Sequence, residues 1–276
     1  MIVKTAMKLI LLLVLCGYLC TALPAIAADP DLSELLASPA ATIPTPPTPS
    51  RSLYKEFNEF NNRIRDGRIS KAAARAELPV RLAEIQTDYR RRGGKEYLAT
   101  EWIFPVAGYS AAAIDKGKSH GFVPRGYDYF SGNRHGGHPA YDIFIHDRNQ
   151  DSRDDRTGSA VYVLSMTGGV VVAVDTGWQQ GSGLRGGNYI WVYDPANRLL
   201  VYYAHNETVL VEPGTMVKPG DPLATIGRSG LNAAKRRSPT HLHFSVLRLQ
   251  NSSSSPVPMA AYPALSQAKS LPYNGL

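Results

Sequence analysis

Two histidines two positions apart, His241 and His243, stand in the segment 239–246 near the C-terminal end of the chain. Polar and apolar residues alternate in this segment, with β-branched and aromatic neighbours, and the pattern predicts a β-strand. Successive strand side chains point to opposite faces, so the two histidines share one face while Leu242 and Phe244 share the other. Two imidazoles at this spacing can both reach one metal ion, or one ligand and the groups around it.

Two upstream segments carry residues that could meet this histidine pair. His138 and Asp142 stand four positions apart in a strand-like segment, so they are expected to share a face, and His205 follows the strand-like segment 199–204. Four histidines and one carboxylate suffice for a catalytic zinc site, which needs three protein ligands, an open position for water and groups for proton transfer. Each histidine alone is more typical of a packed or exposed residue, and their co-occurrence in one β-rich region indicates a site.

The elements that must position these residues begin near Glu101, where short β-rich segments alternate with Gly, Pro, Asn and Asp. No long helical pattern separates the segments, which favours an antiparallel sheet or barrel. The segment 211–223, with its two Pro-Gly pairs, is typical of the hairpin in lipoyl- and biotinyl-type folds. The other strand-like segments are 102–106, 161–164, 169–174, 189–193 and 200–203.

A small helical hairpin is predicted over residues 52–94, before the β-rich region. Apolar residues recur at helical spacing from Ser52 to about Arg65. Ser70 is placed to cap a second helix, and Pro79 is placed to restart one before the chain reaches Gly93. We expect this hairpin to pack against or position the rest of the chain. The apolar side of its second helix is predicted to consist of Val80, Leu82, Ile85 and Tyr89.

The first 27 residues have the features of a secretory signal peptide. Lys4 and Lys8 precede an apolar segment, and Ala25-Ile26-Ala27 fits the small-x-small rule for cleavage. The uninterrupted apolar core is short for a membrane span, so we expect cleavage and no stable membrane insertion afterwards. Both cysteines of the chain lie inside this segment, which leaves histidine and carboxylate as the available zinc ligands.

The charge balance limits the expected partners. The formal net charge is +7, and removal of the two signal lysines leaves 7 − 2 = +5. A basic exported chain suits a polyanionic envelope partner, whereas no aromatic-basic motif indicates binding to nucleic acid. A mildly basic soluble protein without a charge-driven partner is the simpler alternative.

Four motifs in order give the chain a specific resemblance. His138-x-x-x-Asp142, then Tyr203-Ala204-His205, then the glycine-proline hairpin, then His241-Leu242-His243-Phe244 resemble the LytM/lysostaphin-type zinc endopeptidases over about residues 101–249. The resemblance implies that His138, Asp142 and His243 hold Zn²⁺ and that His205 and His241 complete the catalytic set. It also implies that metal-activated water hydrolyses peptide bonds of peptidoglycan cross-links.

The chain departs from the pattern of that family around its first motif. The family usually has glycine near the Asp, where this chain has Pro139, Ala140 and Tyr141, and a polar insertion follows at 146–155. Asp147, Asn149 and Asp151 alternate like the start of a calcium loop, but the required glycine and a clear final bidentate Glu are missing, which favours a solvated loop. Other residues near the first motif could line a groove or compete as ligands, namely Tyr127, Tyr129, Asn133 and His135.

The sequence therefore predicts a mainly β fold, an antiparallel sheet or barrel-sandwich-like metallopeptidase domain over 95–250 preceded by the helical hairpin at 52–94. A signal peptide at 1–27 and a Pro/Ala-rich linker at 28–51 are expected before it, with a loosely attached C-terminal tail at 251–276. The predicted protein is periplasmic or extracellular and cell-wall associated, acts on peptidoglycan peptides and binds no nucleic acid.

Two other functions remain open at the level of sequence. Some members of the resembled family are catalytically silent and activate other wall hydrolases through an empty groove. The chain could also be an envelope binding module that uses the lipoyl-like hairpin, with incidental histidines. Both alternatives predict the same fold, so the fold alone does not decide between them. The sequence leaves the oligomeric state open.

Overall fold

The structure is a computed structural model that describes residues 51–250 and 255–273. The predicted signal peptide and nearly all of the predicted linker lie outside the described residues. The described α-helices are α1 (Arg51–Arg65), α2 (Lys71–Arg91) and α3 (Tyr262–Gln267). Short 3-10 helices lie at Ala99–Glu101, Ala111–Ala113, Lys118–Gly121 and Tyr129–Arg134. The strands are β1 (Tyr141–Phe144), β2 (Arg153–Asp154), β3 (Ser159–Ala160), β4 (Tyr162–Leu164), β5 (Gly169–Asp175), β6 (Tyr189–Asp194), β7 (Leu199–Ala204), β8 (Asn206–Val209), β9 (Met216–Val217), β10 (Pro222–Ile226), β11 (His241–Leu249) and β12 (Pro256–Pro258).

A seven-stranded antiparallel sheet forms the frame of the described residues. Its strand order is β1-β11-β7-β6-β5-β9, and β12 pairs with β11. A second sheet has the order β4-β10-β8, and β2 with β3 forms a separate pair. One hydrophobic core contains side chains from both larger sheets, for example Val192 and Phe244 with Leu223. The predicted mainly β fold with a preceding helical hairpin is thus confirmed.

The large sheet is covered on both faces, as strand β6 illustrates. Its alternate residues Ile190 and Val192 lie in the core shared with the small sheet. The intervening residues Tyr189, Trp191 and Tyr193 belong to a second cluster that contains the apolar side chains of α1 and α2. Burial on both faces explains why this strand is a continuous apolar segment in the sequence, and burial of each such side chain contributes roughly 1.5–3 kcal/mol.

The predicted helical hairpin is present, and α1 follows its predicted boundaries. The hydroxyl of Ser70 accepts a hydrogen bond from the Ala73 N–H, as expected of a cap. Gly132 approaches α1 so closely that a Cβ there would collide with the Ile64 carbonyl oxygen, and its φ of +52° favours glycine independently. The hairpin therefore docks on the sheet and on the 3-10 helix at Tyr129–Arg134.

The predicted restart at Pro79 was wrong, because α2 runs without interruption through this residue. Val80, assigned to the apolar side, is 58% exposed. The other three residues assigned to that side, Leu82, Ile85 and Tyr89, are buried as predicted, and Leu78 belongs to the same buried face. Packing along this face maintains the helix despite the missing N–H of proline.

Two predicted β segments differ in pairing. Residues 102–106 form isolated bridges, Ile103 with Lys269 and Val106 with Val163, instead of a regular strand. Pro105 interrupts the segment and has no N–H to donate to a ladder. The segment 211–223 is not a simple hairpin either, because β9 pairs with β5 in the large sheet while β10 pairs with β4 and β8 in the small one.

The described part of the C-terminal segment, residues 255–273, is packed and not loosely attached, contrary to the sequence-based expectation. β12 pairs with β11, and Tyr262 of α3 stacks on the ring of His120 with 3.6 Å between centroids. Leu265 of α3 is buried in the main core. Within the described ranges, no helix combines the length and the apolar composition needed to cross a bilayer.

The carboxylate of Asp154 is wholly buried and ties the polar insertion to the core. It accepts hydrogen bonds of 2.6 Å from the Tyr109 hydroxyl and from Nη2 of Arg156. Burial alone would raise the pKa of Asp154, but these hydrogen bonds outweigh it and lower the pKa from 3.8 to about 2. Because the pKa is lower in the folded state, this stabilisation is present above about pH 4 and is lost as the pH falls through 2.

We expect Asp154→Asn to lower the free energy of unfolding at pH 7 by about 1–3 kcal/mol, the usual contribution of hydrogen bonds to a buried charge. Urea denaturation at pH 7 and at pH 2 measures the effect, which should shrink at the lower pH. The control is Asp155→Asn, because Asp155 is exposed and accepts one hydrogen bond, from the Arg148 N–H. An equal loss of stability in both variants would contradict the prediction.

Candidate metal centre

Strand register brings the second histidine of the pair opposite the predicted carboxylate. In the ladder between β1 and β11, Asp142 pairs with His243, and His243 in turn pairs with Ala204 of β7. Directly opposed residues of antiparallel strands share a face of the sheet. Leu242 and Phe244 lie on the opposite face in the main core, so the predicted alternation along β11 is confirmed.

His138 lies beside Asp142, but its backbone is held by contacts that differ from the predicted ones. The strand begins only at Tyr141, after a bend at Ala140, so His138 and Asp142 do not lie on one continuous strand. An isolated bridge to Val123, with two hydrogen bonds of 2.7 Å, holds the backbone of His138 instead. Its Nε2 lies 3.3 Å from Oδ1 of Asp142.

The three side chains form a compact group of possible metal ligands. Oδ1 of Asp142 lies 3.3 Å from Nε2 of His138 and 3.1 Å from Nδ1 of His243, and one ligand atom from each residue lies within 4.8 Å of the others. Ligands about 2 Å from a tetrahedral zinc ion stand roughly 3.3 Å from one another. The spacing of these donor atoms and their N₂O chemistry therefore fit zinc.

Backbone carbonyls fix the orientation of the imidazoles around this group. Nδ1 of His138 lies 2.8 Å from the Gly121 carbonyl oxygen and donates to it, so Nε2 faces Asp142. Such an outer hydrogen bond is the usual way in which proteins orient a metal-binding histidine. The aspartate and the ring atoms are thus aligned before any metal binds.

His205 and His241 lie beside the cluster and are oriented in the same way. Nδ1 of His205 lies 2.8 Å from the Ser229 carbonyl oxygen, and Nδ1 of His241 lies 2.7 Å from that of Pro239. Their ring centroids are 4.9 Å apart, and the His205 ring is 5.4 Å from that of His243. Nε2 of His241 is 3.7 Å from Oδ1 of Asp142. All five predicted residues are therefore in one place.

His205 occupies its position through unusual backbone geometry. It follows β7 with a φ of +69°, and the chain at Gly230 passes directly over its ring. A Cβ at Gly230 would lie 2.8 Å from Nδ1 of His205, and its φ of +112° also disfavours other residues. A glycine is therefore needed here to pack the histidine against the metal-ligand cluster.

The local electrostatics shift the pKa values of the clustered side chains in different directions. Burial alone would raise the pKa of Asp142, but hydrogen bonds with His138 and His243 hold it well below its usual range. Burial lowers the pKa of His243, and burial together with the neighbouring His241 lowers that of His205 well below its usual value. At neutral pH Asp142 is therefore ionised, and His205 and His243 are neutral. Burial alone would lower the pKa of His138, but its hydrogen bond to Asp142 outweighs burial and raises that pKa, so a metal ion would compete with a proton at this residue.

The five residues face a groove of about 230 Å³, and none of its lining residues comes from α1 or α2. Arg185 and Tyr202 line it without having been predicted, since a lone arginine in a glycine-rich loop and a tyrosine in a strand carry no distinctive sequence signal. His135 also lines the groove but stands outside the His138–Asp142–His243 group. Tyr127, Tyr129 and Asn133 line an adjoining cavity.

The polar insertion has its own hydrogen bonds. The carboxylate of Asp147 accepts from the N–H groups of Asp151 and Ser152 and from the Thr240 hydroxyl, at 2.6 Å for the last. Asp151 accepts from the Arg153 N–H. These contacts hold the loop by N–H and O–H donors and connect it to the residue that precedes His241.

Residues 154–256 match the model of peptidase family M23. This region is therefore similar to the M23 peptidases. The match confirms the resemblance to the LytM/lysostaphin-type peptidases and supports a peptidase. It contains His205, His241 and His243, whereas His138 and Asp142 precede it. No curated protein matches the sequence.

Solved structures to which the chain is similar include three peptidases. One is a putative glycyl-glycine endopeptidase lytM from Ruminococcus gnavus, with 21% identity, 82% of this chain and 91% of that chain covered, and a TM-score of 0.40. Another is the catalytic domain of lysostaphin from Staphylococcus simulans, with 23% identity, 55% and 95% covered, and a TM-score of 0.35. A zinc-containing peptidase from Vibrio cholerae has 20% identity, 64% and 41% covered, and a TM-score of 0.36, so the match spans less than half of that chain.

We expect His138→Ala, Asp142→Ala and His243→Ala each to weaken zinc binding by about a hundredfold or more, because even the loss of an outer partner costs about 10–100-fold. Competition with a chromophoric zinc chelator measures the affinity. The control is His146→Ala, whose ring stacks on Tyr109 away from the cluster. Undiminished zinc affinity in any of the three variants would remove that residue from the ligand set.

Proposed function

We propose that this protein is an exported zinc-dependent endopeptidase that hydrolyses peptide bonds of peptidoglycan cross-links. The observation that carries the proposal is the convergence of His138, Asp142 and His243 at ligand spacing with two further histidines beside them. The match of residues 154–256 to peptidase family M23 supports the reaction class. The signal-like segment at 1–27 and the positive net charge support export toward an anionic wall.

The proposed ligands are Nε2 of His138, a carboxylate oxygen of Asp142 and Nδ1 of His243. Two neutral imidazoles and one carboxylate would leave a bound zinc ion with a net charge of +1 and an open coordination position. Zinc in such a site lowers the pKa of water and polarises a carbonyl group. The protein supplies the fixed orientation of the ligands and an accessible groove.

His205 and His241 are proposed to move protons during the reaction. Each donates its Nδ1–H to a backbone carbonyl, so each neutral ring has its lone pair on Nε2. His205 is only 7% exposed, and burial lowers its pKa, which favours the neutral ring that a general base requires. Either histidine, once protonated, can donate to the developing oxyanion or to the leaving amine.

Zinc content and hydrolysis of wall peptides should first be measured together on the mature protein and on His243→Ala. We expect one zinc ion per chain and cleavage in the wild type, with both lost in the variant. A wild-type protein that binds no zinc would contradict the proposal and favour a regulator of other wall hydrolases. Zinc without cleavage of any wall peptide would contradict the enzymatic part alone.

His205→Ala and His241→Ala test the proton-transfer roles separately from metal binding. We expect kcat to fall by roughly 10²–10⁴-fold, the usual contribution of a general acid or base, with unchanged zinc content. Elemental analysis of each variant, together with peptide hydrolysis followed by chromatography, measures both quantities. Loss of zinc along with activity would instead make the histidine a ligand, and unchanged kcat would exclude it from the chemistry.

A further inference from the structure

A second cavity adjoins the proposed metal groove on the same face of the large sheet. In the strand register, Ser245 of β11 lies opposite Tyr202 of β7, and Tyr202 lies opposite Trp191 of β6. All three residues line this cavity, which has a volume of about 90 Å³. The cavity and the groove share His243 and Arg185 in their linings. A peptide bound in the groove therefore lies next to this cavity, which we call the chamber.

Helix α1 forms the far wall of the cavity. Nδ2 of Asn61 donates a 3.0 Å hydrogen bond to the Tyr189 hydroxyl, and Oδ1 of Asn61 accepts one of 3.3 Å from the Tyr129 hydroxyl. Asn61 is 5% exposed, so these contacts are shielded from solvent. The hairpin does not line the groove, but it encloses and orders the chamber beside it.

The chamber holds one cation that no carboxylate neutralises. Arg185 is partly buried, and Nη1 of its guanidinium donates a 2.7 Å hydrogen bond to the His135 carbonyl oxygen. Within the described ranges, no acidic side chain forms an ion pair with Arg185, whereas the other arginine of the chamber, Arg65, pairs with Asp66 and Asp175. Arg185 is thus the only chamber arginine whose charge is available to a ligand.

The loop that carries Arg185 is held by a backbone hydrogen bond, and two tyrosine hydroxyls lie near the cation in the same chamber. The Arg185 N–H donates a 2.8 Å hydrogen bond to Oδ1 of Asn133, so the loop is anchored to the segment that precedes His138. The hydroxyls of Tyr127 and Tyr202 have no hydrogen-bond partner among the described residues. Both hydroxyls can therefore donate a hydrogen bond to a ligand.

We propose that the chamber binds a free carboxylate of the substrate peptide, near the scissile bond, with Arg185 as counter-ion. A guanidinium can hold a carboxylate by two parallel hydrogen bonds, and the aromatic walls keep water from weakening them. The Tyr127 and Tyr202 hydroxyls are further donors to the same group. The proposal rests on the proposed peptidase function and assigns Arg185 a role in substrate selection.

Binding to the metal-free protein tests the proposal without hydrolysis and without direct coordination of the carboxylate by zinc. The probe is an acetylated wall-stem tetrapeptide with a free C-terminal carboxylate, compared with its C-terminal amide by titration calorimetry. We expect the carboxylate form to bind roughly tenfold tighter, in line with a charge-assisted hydrogen bond. The preference should vanish in Arg185→Gln and be partly retained in Arg185→Lys.

The matched control is Arg248→Gln, which removes the same charge from an exposed position of β11, away from the groove and chamber. It should keep the wild-type preference.

Equal binding of the two peptides to the wild type, or an unchanged preference in Arg185→Gln, would overturn the proposal. A preference that depends on Arg185 in a protein that hydrolyses neither peptide after zinc loading would support the chamber and contradict the enzymatic function. Hydrolysis of both peptides at equal kcat/KM would support the enzymatic function and contradict the proposed role of the chamber.

Discussion

The pairing register of two strands is the constraint on which the rest of the site depends. Asp142 lies opposite His243 only because β1 and β11 pair in one register, and that register is set by Ile143 and Leu242 on the buried face. A slip of one residue would move the aspartate into the hydrophobic core and a core residue into the groove. The apolar face of the sheet therefore determines the geometry of its polar face.

The same register extends the polar face across the sheet toward the hairpin. His243 pairs with Ala204, and Ala204 pairs with Tyr189 of β6, so the row runs from the carboxylate to the aromatic residues under α1. The small side chain of Ala204 leaves space in this row. Groove and chamber are thus two parts of one surface, and the helical hairpin determines how far that surface extends.

Alternation and spacing predicted the elements that follow local rules. The strand around His241 and His243, the helix at Arg51–Arg65 and the mainly β fold were predictable, because each has a regular period in the sequence. The bend before Tyr141, the division of 211–223 between two sheets and the continuous helix through Pro79 were not. These features depend on long-range packing, which overrides local preference. The roles of the five site residues stay predictions.

The packing of the C-terminal segment affects when the contacts around His138 can form during synthesis of the protein. Tyr262 stacks on His120, and the next residue, Gly121, supplies the carbonyl that orients His138. This support for the first proposed ligand comes from 124 residues further along the chain, since 262 − 138 = 124. A chain still emerging from the ribosome has no such support. The full set of contacts around His138 is therefore present only after α3 has been synthesised and has packed against His120.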